Sequence, residues 1–331
     1  MDFVVSTLFS TETMLVVRAV VPSFIIAFVG FALARFDSAL SQKTVSNLIY
    51  YVFSPCLIFS SLYKRTFSAH EFGILSFAVV ALIAGMMAVA FFMKRREKVK
   101  ESGYYLPVVF MSTGTISLPI ALFLYGNEGL AKAVMFHMVN ITLLYSFGVW
   151  LVSGTFEFKQ LFKIPALWAT ILGITVASFS FETSNSSREI FWLLSKGIDV
   201  IGMGAIPLII ISFGYSLSET KLSDLRAGVM GGGGRIIIGP VMAFALVYFM
   251  RWTGMTPLDP GYDILENLDL RTTEAIIILN ASMPGPIMAY LLNVKFDSCP
   301  KLAVSILAVG SIGGLITIPV VLTIINSLIL K

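Results

Sequence analysis

Charged side chains are scarce in this sequence. Of its 331 residues only 13% are Asp, Glu, Lys or Arg, whereas 57% are hydrophobic, and the mean hydropathy is +0.88. A soluble domain carries about 25% charged residues, so this chain cannot cover its own surface in water. That excludes a soluble enzyme, and a net charge of +4 spread over this length excludes a nucleic-acid-binding protein. The composition predicts an integral membrane protein that contacts membrane lipids.

Cysteine and catalytic motifs are also nearly absent. Cys56 lies in an apolar stretch and Cys299 in a loop, so they form no disulfide framework. The histidines are His70 and His137, and the sequence has no HExxH, GxSxG or DDxxD motif and no nucleotide-binding motif. We therefore expect that the protein is not an enzyme and that it binds no metal and no cofactor. The first apolar stretch lacks the basic region and cleavage site of a signal peptide, so we expect it to remain as a helix.

Long apolar windows fill most of the chain. A membrane helix needs about 20 predominantly apolar residues, and ten windows meet that description. They are residues 14–34, 46–63, 73–93, 104–125, 132–152, 164–181, 197–217, 228–250, 273–293 and 302–330. Lys and Arg are most frequent in the loops that face inward if the N-terminus is outside, chiefly in KRREKVK at 94–100. This predicts a multi-pass protein of the cell (inner) membrane with both termini outside the cytoplasm.

Proline marks corresponding spans in the two halves of the chain. The pairs are Pro22 and Pro165, Pro55 and Pro207, and Pro119 and Pro284. Residues 1–152 and 153–331 each hold five predicted spans, and an odd number makes the halves run in opposite directions. Such an inverted repeat is typical of transporters. Chance is the alternative, because proline is common in membrane helices.

Small polar residues, glycine and proline cluster inside the fourth and ninth spans. The clusters are Ser112, Thr113, Gly114, Thr115, Ser117 and Pro119, and Asn280, Ser282, Pro284, Gly285 and Pro286. Proline removes a backbone donor and glycine permits non-helical geometry, so the clusters predict two broken helices that hold a substrate. The N–H groups of a half-helix suit an anion, and unwound carbonyls suit a small cation or a substrate donor. The alternative is two proline kinks without a site.

Other polar residues inside the spans are candidates for substrate binding, as Asn140 is, or for coupling. His137 and Asn140 lie one turn apart in the fifth span and should share an interior face. His137 is a candidate proton carrier, or a structural hydrogen-bonding group. Asp199 and Glu274 are expected near the membrane surface, where either could bind coupling H⁺ or Na⁺. The run Gly231–Gly234 predicts close helix packing.

Six stretches carry a family resemblance that covers nearly the whole chain. They are NLIYYVFSPCLIFSSL, STGTISLPIALFLYGNEGL, IPLIIISFGYSL, RIIIGPVMAFAL, ASMPGPIMAYLL and ILAVGSIGGLITIP. In their order and spacing the sequence resembles a bacterial member of the auxin efflux carrier family, within the bile-acid/arsenite/riboflavin transporter superfamily.

The resemblance implies an all-α fold of ten membrane helices in two inverted five-helix repeats. Helices 1, 2, 6 and 7 would form a scaffold, often a homodimer, and helices 3–5 and 8–10 a mobile transport domain. The broken helices 4 and 9 would cross at Pro119 and Pro284, with Pro286 as an additional proline. The implied function is secondary active transport of a small organic anion, such as malate, malonate or auxin, by an elevator-type alternating-access mechanism.

One residue departs from the family pattern. Plant carriers have an asparagine that helps to hold the substrate carboxylate where this chain has Ser112, which makes auxin itself doubtful. A neutral or other small solute, or a passive channel, remains the alternative function.

Overall fold

The computed structural model describes residues 11–36, 42–64, 69–96, 102–155, 162, 164–178, 185–219, 225–256 and 264–329. Within these ranges the protein is all-α, and 90% of the described residues are helical with no strand among them. In chain order the helices are α1 Thr11–Phe36, α2 Gln42–Leu48, α3 Ser54–Leu62, α4 Ala69–Arg96, α5 Tyr105–Val109, α6 Ser117–Leu143, α7 Val149–Ser153, α8 Pro165–Ser178, α9 Asn185–Glu219, α10 Leu225–Ala227, α11 Gly234–Trp252, α12 Ile264–Ala281, α13 Ile287–Lys295 and α14 Pro300–Leu328.

Three of these helices continue into the next through a wider turn. The π-helical segments Ile49–Phe53, Leu144–Gly148 and Gly228–Gly233 join α2 to α3, α6 to α7, and α10 to α11. In the last of these, a side chain at Gly232 would lie 2.3 Å from the carbonyl oxygen of Ile306 in α14. The expected close packing at the glycine run is therefore confirmed.

Each of the ten apolar windows contains helix, and the fourth and ninth are interrupted. Among the described residues, six stretches are long and apolar enough to cross a membrane by length and composition: Thr44–Leu62, His70–Arg96, Ser117–Ser153, Phe191–Tyr215, Leu225–Trp252 and Pro300–Leu328. The fourth and fifth windows meet at Gly126, whose φ of 63° and ψ of −158° are not helical. The ten-span inverted repeat stays a prediction, whereas the all-helical membrane fold is confirmed.

The helices pack in two groups. Helix α9 lies along α1 and also packs on α3, which in turn packs on α8. Helices α4, α6, α11 and α12 form a second set of mutual contacts, and α14 packs on the π-helical turn before α11. Large apolar side chains such as Phe28, Phe92, Met203 and Trp252 are mostly exposed, as expected of surfaces that lipid covers.

Candidate functional site

The first break interrupts the helix between α5 and α6. Phe110, just after α5, is extended with φ of −86° and ψ of 155°, and helix resumes only at Ser117. Pro119 lies in the first turn of α6, where a missing backbone N–H costs nothing because the first amides of a helix have no intrahelical partner. The predicted interruption of the fourth span is confirmed, and it precedes Pro119.

The second break lies between α12 and α13. Helix ends at Ala281, and α13 begins at Ile287 after the extended residue Pro286, which has φ of −80° and ψ of 144°. The hydroxyl of Ser282 donates to the carbonyl oxygen of Ile278 at 2.7 Å, and so satisfies an acceptor near the end of α12. Ser282, Pro284 and Gly285 are buried in this segment.

The two breaks touch each other. The Ser112 N–H donates to the carbonyl oxygen of Pro284 at 2.8 Å, and the Ser117 hydroxyl donates to Asn280 Oδ1 at 2.6 Å. A side chain at Gly285 would lie 2.3 Å from the carbonyl oxygen of Pro107, so only glycine permits this approach. The broken segments therefore contact each other through Ser112 and Ser117, and their crossing at Pro119 and Pro284, which the resemblance implies, stays a prediction.

A hydrogen-bonded group of three side chains borders the first break. Asn140 Nδ2 donates to Thr113 Oγ1 at 3.2 Å, and Thr113 Oγ1 lies 2.7 Å from His137 Nδ1. If the Thr113 hydroxyl donates to His137 Nδ1, the proton of a neutral imidazole lies on Nε2. His137 then offers Nε2–H as a donor.

A cavity of about 190 Å³ lies beside this group. It is bordered by the first break, by α6, by the start of α13, and by α2, α8 and α9. The predicted site residues that line it are Ser112, Thr113, Gly114, Thr115, His137 and Asn140. Ser117 and Asn280 instead join the two breaks. Sequence reasoning missed the cavity-lining Ser46, Tyr50, Ser54 and Ser212, because isolated hydroxyls in apolar helices give no pattern.

Two helix N-termini face the same region. Helix α6 begins beside the first break and α13 at the rim of the cavity, and in neither helix does a side chain cap the first amides. Ile287 and Met288, the first residues of α13, line the cavity. Uncapped amides and the positive end of a helix dipole favour an anion. The geometry thus combines hydroxyl, imidazole and backbone donors around one small space.

Comparison with known proteins identifies the family. The family described as "Membrane transport protein" matches residues 15–157 and 148–322. The chain belongs to this transporter family. It is the auxin efflux carrier family that the sequence resembles.

Two archaeal relatives extend this likeness over almost the full length of the transporter. A protein of Methanothermobacter thermautotrophicus described as an uncharacterized transporter is 26% identical over 322 residues, which are 94% of this chain and 96% of the relative. Another so described, from Methanocaldococcus jannaschii, is 24% identical over 291 residues, which are 83% of this chain and 87% of the relative.

A second, larger cleft of about 790 Å³ lies further along the same helices of the transporter. Its charged groups are Lys64, Lys196 and Asp199. Asp199 accepts hydrogen bonds from Lys64 Nζ at 2.7 Å and from Ser60 Oγ at 2.5 Å. Burial lowers the pKa of the Lys64 ammonium, but the hydrogen bonds and charges of Asp199 and Tyr63 together outweigh it, so this pKa is raised and Lys64 stays charged.

Buried charges are the main feature that sequence reasoning did not assign to the site. Arg235, only 1% exposed, donates from Nε to the carbonyl oxygen of Met283 at 3.4 Å and from Nη2 to that of Ala281 at 3.3 Å. Its guanidinium therefore lies against the end of α12 at the second break. A single arginine inside an apolar window was the available signal, since buried charges need partners.

Two further charge clusters lie in the second set of helices. Glu274 is fully buried and accepts from Arg251 Nε at 3.0 Å and Nη2 at 2.5 Å, so it forms an ion pair inside the protein, and its position near the membrane surface stays a prediction. Lys132, also fully buried, lies 3.1 Å from Glu71 Oε1 and donates to Thr273 Oγ1 at 2.7 Å. Each charge has protein partners, as burial requires.

Proposed function

We propose that this protein is a secondary active transporter that carries a small organic anion across the cell membrane by an elevator-type alternating-access mechanism. The observation that carries this function is the meeting of two broken helices at one cavity, with the N-terminus of α13 beside it. Membership of a transporter family supports movement of a solute rather than chemistry on it.

The donors at the cavity favour a negatively charged substrate. None of the described residues that line it carries a carboxylate, so no fixed negative charge repels an anion. The uncapped amides of α13, His137 Nε2–H and the hydroxyls of Ser112 and Thr115 are available to hydrogen-bond carboxylate oxygens. Such charge-assisted hydrogen bonds are about twice as strong as neutral ones. A mono- or dicarboxylate, malate- or malonate-like, fits this chemistry.

Alternating access is supported by the arrangement of the two cavities. The larger cleft takes its lining from Leu57 to Lys64 and from Lys196 to Pro207, and the smaller cavity takes its lining from Ser46 to Ser54 and from Ile209 to Phe213. The two spaces therefore follow one another along the same pair of helices. A modest shift of the broken helices past α3 and α9 would transfer an occupant from one space to the other.

The packing supports one division of the helices into a fixed scaffold and a moving transport domain. Helices α1, α3, α8 and α9 would form the scaffold, often dimeric, and the helices that carry the breaks would form the transport domain. The buried pairs Lys132–Glu71 and Arg251–Glu274 join helices within that domain and would keep it rigid as it moves. His137 remains the candidate for proton coupling, while sodium is the other candidate ion. The termini would lie outside the cytoplasm.

Flux into proteoliposomes tests this function. Purified protein is assayed with a panel of radiolabelled small carboxylates, with and without an imposed pH or sodium gradient. We expect saturable, accumulating uptake of one class of acid, driven by one gradient. A double variant, Pro119→Ala with Asn280→Ala, should lose this flux while remaining folded, because Asn280 joins the two breaks.

The alternatives give different results in the same assay. Flux that neither saturates nor accumulates substrate would indicate a passive channel. Uptake of uncharged solutes, with silence across the carboxylates, would indicate a neutral substrate and contradict the anion proposal.

A further inference from the structure

The amide of Asn140 has a fixed orientation. Its Nδ2 donates to the carbonyl oxygen of Met111 at 2.9 Å and to Thr113 Oγ1 at 3.2 Å. A backbone carbonyl can only accept, so the atom that faces Met111 must be the nitrogen. The hydrogen-bond network therefore assigns the remaining atom as the oxygen, Oδ1.

Asn140 Oδ1 lacks a hydrogen-bond partner among the residues that the structure describes. The side chain is only 1% exposed, yet Asn140 lines the cavity. A buried acceptor without a donor costs about as much free energy as a lost hydrogen bond. An occupant of the cavity that carries a donor would recover this cost, and one without a donor would not.

Two pairs of polar groups at the cavity already bond to each other. Thr113 and His137 bond to each other, and Ser112 Oγ lies 2.8 Å from Thr115 Oγ1. Most of the groups that face the cavity can donate to an anion, whereas Asn140 Oδ1 can only accept. A substrate that fits the site would therefore carry both an anionic group and a hydrogen-bond donor.

We propose that Asn140 Oδ1 is a specificity-determining acceptor, which selects organic anions that also carry a hydroxyl or N–H donor over the same acids without one. This inference rests on the proposed transport of organic anions and deepens it. A site built to bond a hydroxyl rejects the analogue that lacks it, since a buried polar group is then left unpaired. Hydroxy acids and amino-substituted acids form the expected substrate class.

Matched pairs of acids test this selection. Malate is compared with succinate, lactate with propionate, and tartronate with malonate, because the members of each pair differ by one hydroxyl. We expect the wild-type protein in proteoliposomes to prefer the hydroxylated member by about tenfold or more in kcat/KM. In Asn140→Ala the preference, measured as the ratio of the two kcat/KM values, should fall to about one.

Asn293 supplies a matched control variant. Its Nδ2 also donates to a backbone carbonyl, that of Gly103 at 3.0 Å, and its Oδ1 likewise has no partner among the described residues. Asn293 does not line the cavity. Asn293→Ala therefore removes a comparable buried amide and should leave the preference within each pair as it is in the wild type.

The outcomes separate this inference from the function on which it rests. Equal, saturable uptake of both members of each pair by the wild type would overturn the acceptor role and leave organic-anion transport intact. This measurement needs no variant. A preference that persists in Asn140→Ala would assign the selection to another group. Uptake of no acid at all would overturn the proposed function and the acceptor role together.

Discussion

The first break brings hydroxyls to the cavity, whereas the second break rests against a buried arginine. Ser112, Thr113 and Thr115 of the first break line the cavity. In the second break, Ser282, Pro284 and Gly285 are buried away from it, and the nearest charge is that of Arg235. Proline and glycine interrupt both helices, yet the side chains around each interruption differ.

Several backbone carbonyls of the second break and of the adjoining end of α12 accept hydrogen bonds from protein donors. The carbonyl of Asn280 accepts from the Met283 N–H, that of Pro284 from the Ser112 N–H, and those of Ala281 and Met283 from Arg235. A segment whose acceptors are satisfied internally has little left to offer a ligand. We therefore expect the second break mainly to brace the contact between the two breaks, while substrate contacts fall on the first break and on the N-terminus of α13.

Arg235→Met should give the largest change in stability. It leaves the carbonyls of Ala281 and Met283 without a donor, and each buried orphan costs about 1–3 kcal/mol. We expect a clear fall in the thermal unfolding temperature of the detergent-purified protein, with a smaller fall in Arg235→Lys, which keeps the charge. Arg95→Ala, at the exposed end of α4, is the control and should change little.

A higher unfolding temperature in Arg235→Met would contradict the bracing role. It would mean that the cost of burying the guanidinium, several kcal/mol, exceeds what its two long hydrogen bonds return. Arg235 would then be retained for transport rather than for stability.

Gly285→Ala should have the next largest effect, because it acts where the breaks meet. The added methyl group would lie 2.3 Å from the Pro107 carbonyl oxygen, and overpacking of this kind costs about 1–3 kcal/mol. Thermal unfolding and flux should both decline. Gly73→Ala, where an added methyl group meets nothing within 4 Å, is the matched control in α4 and should be neutral or slightly stabilising. If the two variants had the same unfolding temperature and flux, the contact between the two breaks would tolerate an increased distance between the segments.

The sequence predicts the breaks well because their cause is local. Proline and glycine act on the backbone of their own helix, so the clusters around Ser112 and Pro284 indicate where helix stops. Periodicity and hydropathy likewise place every helix, since lipid demands long apolar segments. The family resemblance adds the expectation that the two breaks cross.

The sequence could not predict which residues from distant segments of the chain contact each other. Arg235 and the carbonyl of Ala281 are on different helices, as are Arg251 and Glu274, and a charge in an apolar window does not name its partner. The contact between the Ser112 N–H and the Pro284 carbonyl also depends on how the two helices are packed.

Thr113→Val should show whether the first break contacts the substrate, and it should change stability less than the variants above. Valine keeps the shape but loses the hydroxyl that bonds His137 and Asn140, a net loss of about 1 kcal/mol. If the first break contacts substrate, flux should fall by at least about tenfold, because a misplaced His137 no longer presents Nε2–H to an anion. Thr170→Val is the control: Thr170 is buried in α8, donates only to the Ala166 carbonyl, and does not line the cavity. A Thr113→Val protein that unfolds far more readily but transports at the wild-type rate would reverse the comparison, because the first break would then be the brace and the substrate would depend on the second.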